Sequence, residues 1–312
     1  MLRAHTLAAG EGHLLHVEEF GSDGGIPALV LHGGPGSGCS PLLRRYFDPA
    51  RYRIICPDQR GAGRSRPHGA ILHNTTAHLV EDLRLLRRHL GLQRWLVVGG
   101  SWGASLAIAH AAAEPTAVDA LLLRASFLAR RGDIDWFFQG AATQKVQAWQ
   151  EFAMAAPLPA QAALLVWLHQ QLNEAAEADQ GRAALAWWHW EQALAGTTAT
   201  AAPPTADALR TLVGRYCVQS HYMVHDCWLT APDLLQRCAS LPAVPTLLLH
   251  ANNDLICRPE GARLVHAQLP HSRMHWVDGA GHDAAHPAMV RAMVLALAHY
   301  ATHRNFDAAL QA

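Results

Sequence analysis

A serine flanked by glycines is the residue of this sequence with the clearest chemical potential. Ser101 lies in the pentapeptide Gly-Gly-Ser-Trp-Gly at 99–103, after an apolar run at 94–98 and before an alanine-rich stretch at 104–113. A strained turn from strand to helix leaves no room for flanking side chains, and it lifts the hydroxyl to the carboxyl edge of a sheet. The motif also occurs as an ordinary turn, but its place between a predicted strand and a predicted helix indicates a nucleophile elbow.

A serine nucleophile needs a base and an orienting carboxylate, which follow it along such a chain in the order Asp, His. Asp254 comes just after the apolar run 246–250, and His282 comes just after the run 274–277. Each therefore occupies a loop at the carboxyl end of a predicted strand, where open sheets assemble their sites. Among 21 histidines, His282 is distinguished by its position rather than its type. The alternatives are His250 and His286 for the base, and Asp278 and Asp283 for the acid.

Acyl transfer also requires donors for the oxyanion, usually the amide after the nucleophile and one from an early loop. The run His-Gly-Gly-Pro-Gly at 32–36 supplies such a loop, because glycines let the backbone approach a substrate closely. We therefore predict the amides of Gly34 and Trp102 as donors. The same glycines could form a phosphate loop, but no Gly-Lys-Ser/Thr follows them.

Short apolar runs alternate with amphipathic stretches, which predicts βαβ units and a parallel sheet. The predicted strands are 28–32, 52–56, 94–98, 120–123, 246–250 and 274–277, and the predicted helices beside them are 75–89, 104–113 and 287–300. After Ser126 the strand signals stop until about Cys238, and helical periodicity takes over. The sequence thus predicts one sheet interrupted by a helical insertion at 129–238, with an Ala/Thr/Pro stretch at 196–204 as its one biased segment.

The composition excludes several classes of protein. The 312 residues are 50% hydrophobic and 16% charged with a formal net charge of zero, which is typical of a compact globular protein and argues against a nucleic-acid partner. No segment has the length and apolarity of a signal peptide core or a membrane span, so we expect a soluble, cytoplasmic protein. Six scattered cysteines suggest free thiols, and the histidines lack metal-ligand spacing, so no metal or cofactor is expected.

Together these residues closely resemble the proline iminopeptidases, which remove an amino-terminal proline from peptides. The segments that carry the resemblance are 32–36, 58–65 (Asp-Gln-Arg-Gly-Ala-Gly-Arg-Ser), 74–76, 99–103, 133–137 and 190–191. It covers most of the chain and implies an α/β-hydrolase fold, with a mostly parallel central sheet, helices on both faces and an inserted helical cap. The core would comprise 1–128 and 239–312, and the cap 129–238.

The resemblance also implies a substrate pocket in which cap glutamates hold the substrate's ammonium and apolar side chains hold the proline ring. Glu191 matches one of those glutamates; without the resemblance it would be interpreted as a solvated cap residue. Arg124 and Phe127 match the pocket's arginine and phenylalanine, and Cys257 is retained. Trp187, Trp188 and Trp190 are interpreted as cap core rather than substrate contacts.

The pocket departs from the family pattern at several positions. Gln219 stands where the second glutamate is expected, Met223 replaces an aromatic residue, and Phe138 stands where tyrosine is usual. The family's Gly-Arg-Tyr-Asp before the acid is Ala-Asn-Asn-Asp at 251–254, and Arg258 replaces a proline. An amide accepts hydrogen bonds but carries no charge, so these changes alter the substrate's surroundings and leave the predicted triad intact.

The leading hypothesis is a serine peptidase that releases N-terminal proline from a small peptide through an acyl-enzyme. An esterase, lactonase or amidase with the same triad is the alternative, because Gln219 would suit a substrate without a cation. A third class is a catalytically silent binding protein, which normally requires the loss of a triad residue. The sequence does not indicate an oligomeric state.

Overall fold

An eight-stranded sheet forms the centre of the protein, whose computed structural model describes residues 3–197 and 204–310. The strand order is β1-β2-β4-β3-β5-β6-β7-β8, with β1 and β2 antiparallel to their neighbours and β3 to β8 parallel to one another. The strands are β1 Arg3–Gly10, β2 His13–Gly21, β3 Ile26–Leu31, β4 Tyr52–Pro57, β5 Trp95–Gly100, β6 Val118–Arg124, β7 Thr246–Ala251 and β8 Arg273–Val277.

Helices cover both faces of the sheet and fill the interval between β6 and β7. The α-helices are α1 Pro41–Arg44, α2 Thr76–His89, α3 Trp102–Ala113, α4 Arg131–Phe138, α5 Val146–Ala153, α6 Leu158–Gln161, α7 Leu164–Glu174, α8 Glu177–Ala195, α9 Ala206–Val224, α10 Leu234–Cys238, α11 Pro259–Gln268 and α12 Pro287–His303. Short 3₁₀ turns occur at Pro115–Ala117, Gly140–Thr143 and Asp226–Trp228. No helix among residues 3–197 and 204–310 is long and apolar enough to cross a bilayer.

The central strands are buried on both faces, which explains why they read as continuous apolar runs in the sequence. Successive side chains of a strand point to opposite faces, so neighbouring residues join different cores. Leu31 and Val97 pack on the side of α2, α3 and α11, whereas Val30 and Val98 pack on the side of α12. The predicted fold class, a mostly parallel sheet with helices on both faces, is confirmed.

The described residues between β6 and β7 form helices α4 to α10 with no strand among them. In this segment α7, α8 and α9 pack against one another, and α5 packs on α8. The last helix, α10, packs instead against α3 and α11 beside the sheet. The division into a core at 1–128 and 239–312 and a cap at 129–238 stays a prediction, and residues 198–203 of the Ala/Thr/Pro stretch lie outside the described residues.

The strands predicted from apolar runs are present, with ends that differ by at most two residues from the predicted ones. The hairpin of β1 and β2 was not predicted. Most residues of β1 are exposed or half-buried because it is the edge strand, so the strand lacks a continuous apolar run. Its backbone register with β2, from Arg3 opposite Glu19 onward, supplies the pairing that the sequence pattern does not reveal.

Candidate active site

The turn from β5 into α3 holds Ser101 in a strained conformation. Ser101 has φ 57° and ψ −124°, and its amide donates to the Arg124 carbonyl at 2.9 Å on the neighbouring strand. A β-carbon at Gly99 would collide with the carbonyl of Gly103, and one at Gly103 would collide with the carbonyl of Leu31. The flanking glycines are therefore required by close backbone packing. Such backbone strain costs on the order of 1–3 kcal/mol and clusters at functional sites.

Three loops at the carboxyl ends of β5, β7 and β8 bring a serine, a carboxylate and an imidazole together. His282 Nε2 lies 3.2 Å from Ser101 Oγ, and His282 Nδ1 lies 2.8 Å from Asp254 Oδ2. A carboxylate only accepts, so Nδ1 carries the proton and donates to Asp254, which leaves Nε2 as the acceptor for the serine hydroxyl. This is the geometry in which an imidazole can remove the hydroxyl proton.

Asp254 is buried but its carboxylate is fully engaged. Its Oδ1 accepts from the amides of Ile256 and Cys257 at 2.9 Å each, while Oδ2 accepts from His282. Burial by itself raises the pKa of a carboxyl, but the interaction with His282 and the amide hydrogen bonds outweigh it, and the pKa of Asp254 lies below its usual value. Asp254 is therefore ionised at neutral pH.

The rival residues from the sequence make other hydrogen bonds, although His250 Nε2 also lies 3.9 Å from Asp254 Oδ2. His250 is fully buried and donates from Nε2 to the Cys257 carbonyl at 2.9 Å, and burial lowers its pKa, so it is neutral. His286 accepts from the amide of Ala288 at the start of α12. The carboxyl groups are engaged in their own loops: Asp278 accepts from Asn252 and Asp283 accepts from the amide of Ala285.

The glycine-rich loop at 32–36 lies beside the serine. A β-carbon on Gly33 would be 3.4 Å from Ser101 Cβ, and Gly34 has φ 112°, a conformation that favours glycine. Trp102 is the first residue of α3, so its amide has no helical carbonyl to bind. Both amides are thus on segments adjoining Ser101, and their role as oxyanion donors stays a prediction.

Gln59 ties the glycine-rich loop to the elbow, a role that the sequence did not reveal. Its Nε2 donates to the His32 carbonyl at 3.0 Å, and its Oε1 accepts from the Trp102 indole at 2.9 Å. Its amide donates to His32 Nε2 at 3.0 Å, while His32 Nδ1 donates to the Gly33 carbonyl at 2.8 Å. The side chains of Gln59, His32 and Trp102 are buried, so the two segments that flank the serine hydroxyl share one hydrogen-bond network.

A cavity of about 180 Å³ opens onto Ser101 and His282. All of the predicted substrate-binding residues line it, together with side chains from both the sheet edge and the helical segment. The lining comprises Gly33, Gly34, Ser37, Ser101, Arg124, Phe127, Asp133, Ile134, Phe137, Phe138, Trp187, Glu191, Arg215, Gln219, Met223, Ile256, Cys257 and His282. Asp254 and Trp102 lie behind this surface. Among the tryptophans assigned to the cap core, Trp187 and Trp190 are fully buried, and Trp187 also lines the cavity.

One wall of the cavity is apolar and aromatic. Phe138 packs edge-on against Trp187 at a centroid distance of 5.0 Å and against Phe137 at 4.9 Å. Phe127 and Met223 complete the predicted wall. Phe137 and Trp187 were not predicted to line the cavity, because a helical pattern does not tell which side of a buried aromatic faces a ligand. The wall suits a small apolar ring.

A polar cluster in the cavity lining, here called the polar end, is built by residues of α8 and α9. Glu191 Oε2 accepts from Arg215 Nη2 at 2.5 Å and from the Tyr216 hydroxyl at 2.9 Å, and its Oε1 accepts from Gln219 Nε2 at 2.7 Å. Arg215 was missed by the sequence reasoning. Its spacing of four residues from Gln219 on one helix would have placed both on the same face.

The Glu191 and Arg215 pair carries a negative and a positive charge. Burial by itself lowers the pKa of Arg215, but the Glu191 carboxylate outweighs it and holds that pKa above its ordinary value. Burial also raises the pKa of Tyr216 well above its ordinary value, so the phenol keeps its proton and its hydroxyl donates a hydrogen bond to Glu191. The polar end therefore contains a carboxylate whose charge is already matched within the protein.

Cys257 lies close to the nucleophile without sharing its role. Its Sγ is 3.6 Å from Ser101 Oγ. Burial, assisted by the Asp254 carboxylate, raises the pKa of the Cys257 thiol well above its ordinary value. The thiol is therefore protonated at neutral pH and contributes an apolar, polarisable surface to the cavity.

Comparison with known proteins places this geometry in a family. A model of the alpha/beta hydrolase fold matches residues 27–287. The proline iminopeptidase of Xanthomonas citri is 38% identical over 295 residues, which cover 93% of this chain and 94% of that protein. The proline iminopeptidase of Arabidopsis thaliana is 36% identical over 299 residues, which cover 93% of this chain and 78% of that protein.

Solved structures agree on the fold. The proline iminopeptidase-related protein of Thermus thermophilus superposes with a TM-score of 0.60 and 23% identity, covering 96% of this chain and 98% of that one. The proline iminopeptidase of Mycobacterium smegmatis gives a TM-score of 0.61 and 18% identity, covering 97% of this chain and 100% of that one. From the extent and identity of the sequence matches, the chain belongs to the proline iminopeptidase family of α/β-hydrolases.

Proposed function

We propose that this protein is a serine peptidase that releases an N-terminal proline from small peptides, with Ser101 as nucleophile, His282 as general base and Asp254 as the group that orients the histidine. The observation that carries the proposal is the contact of His282 with both Ser101 and Asp254 at the mouth of a cavity with one apolar and one polar end. Sequence identity of 33–38% to proline iminopeptidases over most of the chain supports the substrate class.

Acylation begins when Ser101 Oγ attacks the carbonyl carbon of the terminal residue while His282 Nε2 takes its proton. Asp254, ionised and hydrogen-bonded to Nδ1, stabilises the imidazolium that forms. The amides of Gly34 and Trp102 stabilise the oxyanion of the tetrahedral intermediate. His282 then gives the proton to the leaving amine, the peptide bond breaks, and the prolyl group remains as an ester on Ser101.

Deacylation repeats these steps with water. His282 Nε2 removes a proton from the water that attacks the ester carbonyl, and it returns a proton to Ser101 Oγ as free proline leaves. The Gln59 network joins the glycine-rich loop to the start of α3, and we expect it to keep the oxyanion donors in place through both half-reactions. A donor set that does not reorganise is the main source of electrostatic stabilisation in such sites.

The two ends of the cavity bind different parts of the substrate's terminal residue. The pyrrolidine ring packs against the wall that includes Phe127, Phe138 and Met223, and the imino group faces the polar end. Glu191 Oε1 receives one hydrogen bond from Gln219, and a carboxylate oxygen has room for a second, so it can accept from the substrate's ammonium.

The cysteines and the net charge bear on the location of the protein and on its partner. All six cysteines are free, and we assign the protein to the cytoplasm, where thiols stay reduced. The formal net charge of zero argues against a nucleic-acid partner, and we assign a small peptide as the substrate.

Hydrolysis of proline 7-amido-4-methylcoumarin, set against a panel of simple esters, tests the proposal. We expect the wild-type protein to release the fluorophore from the proline amide and to be labelled by a fluorophosphonate probe. The Ser101→Ala variant should lose both the release and the labelling. Ester hydrolysis without any cleavage of the proline amide would reject the peptidase assignment and favour an esterase with the same triad. Failure of the probe to label the wild-type serine would reject the nucleophile itself.

A further inference from the structure

Asn74 is a fully buried polar residue that does not line the cavity. It opens the Asn-Thr-Thr segment at 74–76, which the proposed mechanism does not use. Its Nδ2 donates to the carbonyls of Arg60 at 3.0 Å and Ala70 at 2.8 Å, and its Oδ1 accepts from the Tyr222 hydroxyl at 2.8 Å. Carbonyl oxygens only accept, so the amide nitrogen must face the two carbonyls, and the orientation of the amide is fixed.

The two carbonyls that Asn74 binds belong to the loop between β4 and α2. Arg60 donates to both carboxylate oxygens of Asp82 on α2, at 2.7 and 2.8 Å, and both side chains are buried. The neighbour of Arg60 in this loop is Gln59, which ties the glycine-rich loop to the start of α3. Asn74 is therefore attached to a part of the core that buried hydrogen bonds hold in place.

On its other side, Asn74 binds two consecutive residues of α9. Besides the hydrogen bond from Tyr222 to its side chain, the Asn74 carbonyl accepts from His221 Nε2 at 3.1 Å. Gln219 and Met223 line the cavity, and they lie three residues before and one residue after Tyr222 on the same helix. Consecutive residues of a helix point about 100° apart, so two bonds to one residue restrict both the rotation of α9 about its axis and its position along it.

The turn that follows α9 is bound to the same segment. Thr76 Oγ1 donates to the Cys227 carbonyl at 2.5 Å, and Thr76 is itself buried. The Tyr222 ring packs edge-on against the indole of Trp102 at a centroid distance of 5.1 Å. The last turns of α9 are thereby joined to the core through residues of the 74–76 segment and through the start of α3.

The middle of α9 is held to the core separately. A β-carbon on Gly36 would lie 2.5 Å from the Arg215 carbonyl and 3.1 Å from Val218 Cβ, so the helix backbone lies directly on the glycine-rich loop. This contact does not involve Asn74. Loss of the Asn74 side chain should therefore displace the last turns of α9, which carry Gln219 and Met223, and leave the contact with the glycine-rich loop in place.

We propose that Asn74 is a positioning residue for substrate binding, which holds α9 in place through the Tyr222 hydroxyl. With α9 in this place, Met223 belongs to the wall that packs on the proline ring, and Gln219 donates to Glu191. The inference rests on the proposed peptidase function and adds a residue that controls binding of the terminal ring from outside the cavity. Asn74 touches neither the substrate nor the triad, so its loss should weaken substrate binding and leave acyl transfer intact.

The experiment separates substrate binding from the reactivity of Ser101 in the intact protein. The rate constant for labelling by a fluorophosphonate probe reports on the triad and the oxyanion donors, because the probe carries neither a proline ring nor an ammonium. The number of labelled serines counts the active molecules. For proline 7-amido-4-methylcoumarin, kcat is expressed per labelled serine, and KM does not depend on the amount of active protein, so partial unfolding changes neither value.

Two variants break the link from opposite sides. Tyr222→Phe removes the hydroxyl and keeps the ring that packs on Trp102, whereas Asn74→Ala removes the whole amide. In both we expect KM to rise and kcat/KM to fall by about tenfold or more, while the labelling rate constant stays within about twofold of the wild type. A wild-type kcat/KM in either variant, or a labelling rate that falls by the same factor, would overturn the inference and leave the peptidase function standing. Failure of the wild-type protein to cleave the proline amide would reject the proposed function and this inference with it.

The double variant tests whether the two residues act through their shared hydrogen bond. Asn74→Ala already removes the acceptor of the Tyr222 hydroxyl, so adding Tyr222→Phe should lower kcat/KM little further. A fall equal to the product of the two single effects would show that the residues act independently, and it would overturn the role assigned to Tyr222.

Tyr52→Phe is the matched control. Tyr52 is also fully buried, and its hydroxyl donates to the Leu297 carbonyl at 2.6 Å on the side of the sheet that α12 covers. The control loses a buried tyrosine hydrogen bond away from the cavity lining, and we expect KM and kcat/KM to stay at the wild-type values. A rise in KM equal to that of Tyr222→Phe would show that the loss of any such bond weakens substrate binding, and the specific role of Asn74 would fall.

Discussion

The two ends of the cavity are held by different kinds of interaction. At the catalytic end, Ser101, Asp254 and His282 occupy loops that leave parallel strands of one sheet, and backbone packing fixes the elbow. At the polar end, Glu191 and Gln219 come from two packed helices and meet through side-chain hydrogen bonds. On the proposed function, the sheet thus positions the groups that carry out the reaction, while side chains that single substitutions can exchange select the substrate.

The tolerance of the two ends to sequence change should differ accordingly. No side chain fits at Gly99 or Gly103, where backbone atoms of neighbouring segments lie within van der Waals contact. On α8 and α9 the residues at the cavity lie in regular helix, where no backbone strain restricts the choice of side chain. This explains how Gln219 can occupy a position where the family pattern has a glutamate while the elbow keeps its form.

The sharpest test of the catalytic end is Ser101→Ala. We expect kcat to fall by about 10⁴-fold or more, because no other group can form the acyl-enzyme. Loss of one hydroxyl that contacts His282 and Cys257 should leave the thermal unfolding midpoint nearly unchanged. Hydrolysis of the proline amide measures kcat, and a thermal melt measures the unfolding midpoint. Residual activity above a tenth of the wild type would mean that the nucleophile lies elsewhere.

Asp254→Asn should have the next largest effect. The amide removes the negative charge and can donate to His282 Nδ1, which would leave the imidazole in the wrong tautomer, and kcat should fall by about 10³–10⁴-fold. The measurement is kcat for the proline amide. Asp278→Asn is the control, because Asp278 lies just after β8 and binds the Asn252 side chain on the exposed surface. A comparable loss of kcat in Asp278→Asn would show that Asp278 also contributes to catalysis.

Glu191→Gln tests the polar end. For the proline substrate we expect KM to rise and kcat/KM to fall by an amount equivalent to about 1.5–3 kcal/mol, the usual worth of a hydrogen bond to a charged group. The effect is smaller than that of the triad variants because the substitution touches binding and leaves the acyl transfer groups in place. Glu177→Gln, exposed on the same helix, is the control. An unchanged KM would remove Glu191 from substrate binding.

The contrast between the two ends also explains what the sequence could predict. The elbow, the acid loop and the histidine loop follow from strand order and backbone rules, so Ser101, Asp254 and His282 could be picked from their positions after apolar runs. The spacing of Arg215 from Gln219 places both on one face of α9, but its pairing with Glu191 could not be predicted because it depends on how α8 packs on α9. The pairing of β1 with β2 was missed for a related reason, since an exposed edge strand leaves a weak apolar pattern.

Substitution of Gln59 should have the smallest effect on activity. Gln59 links the glycine-rich loop to the start of α3 through side-chain hydrogen bonds, which are also the contacts that build the polar end. Gln59→Leu leaves the buried Trp102 indole and the His32 carbonyl unpaired, at a cost of about 1–3 kcal/mol for each group. We expect a lower free energy of unfolding and a fall in kcat of about tenfold with little change in KM, because displaced oxyanion donors weaken transition-state binding alone. Gln59→Glu keeps an acceptor for the Trp102 indole, so its stability and its kcat should lie between those of the wild type and those of Gln59→Leu. A variant that loses stability but keeps the wild-type kcat would show that the network supports the fold without positioning the loop, and the catalytic end would then owe its geometry to backbone packing alone.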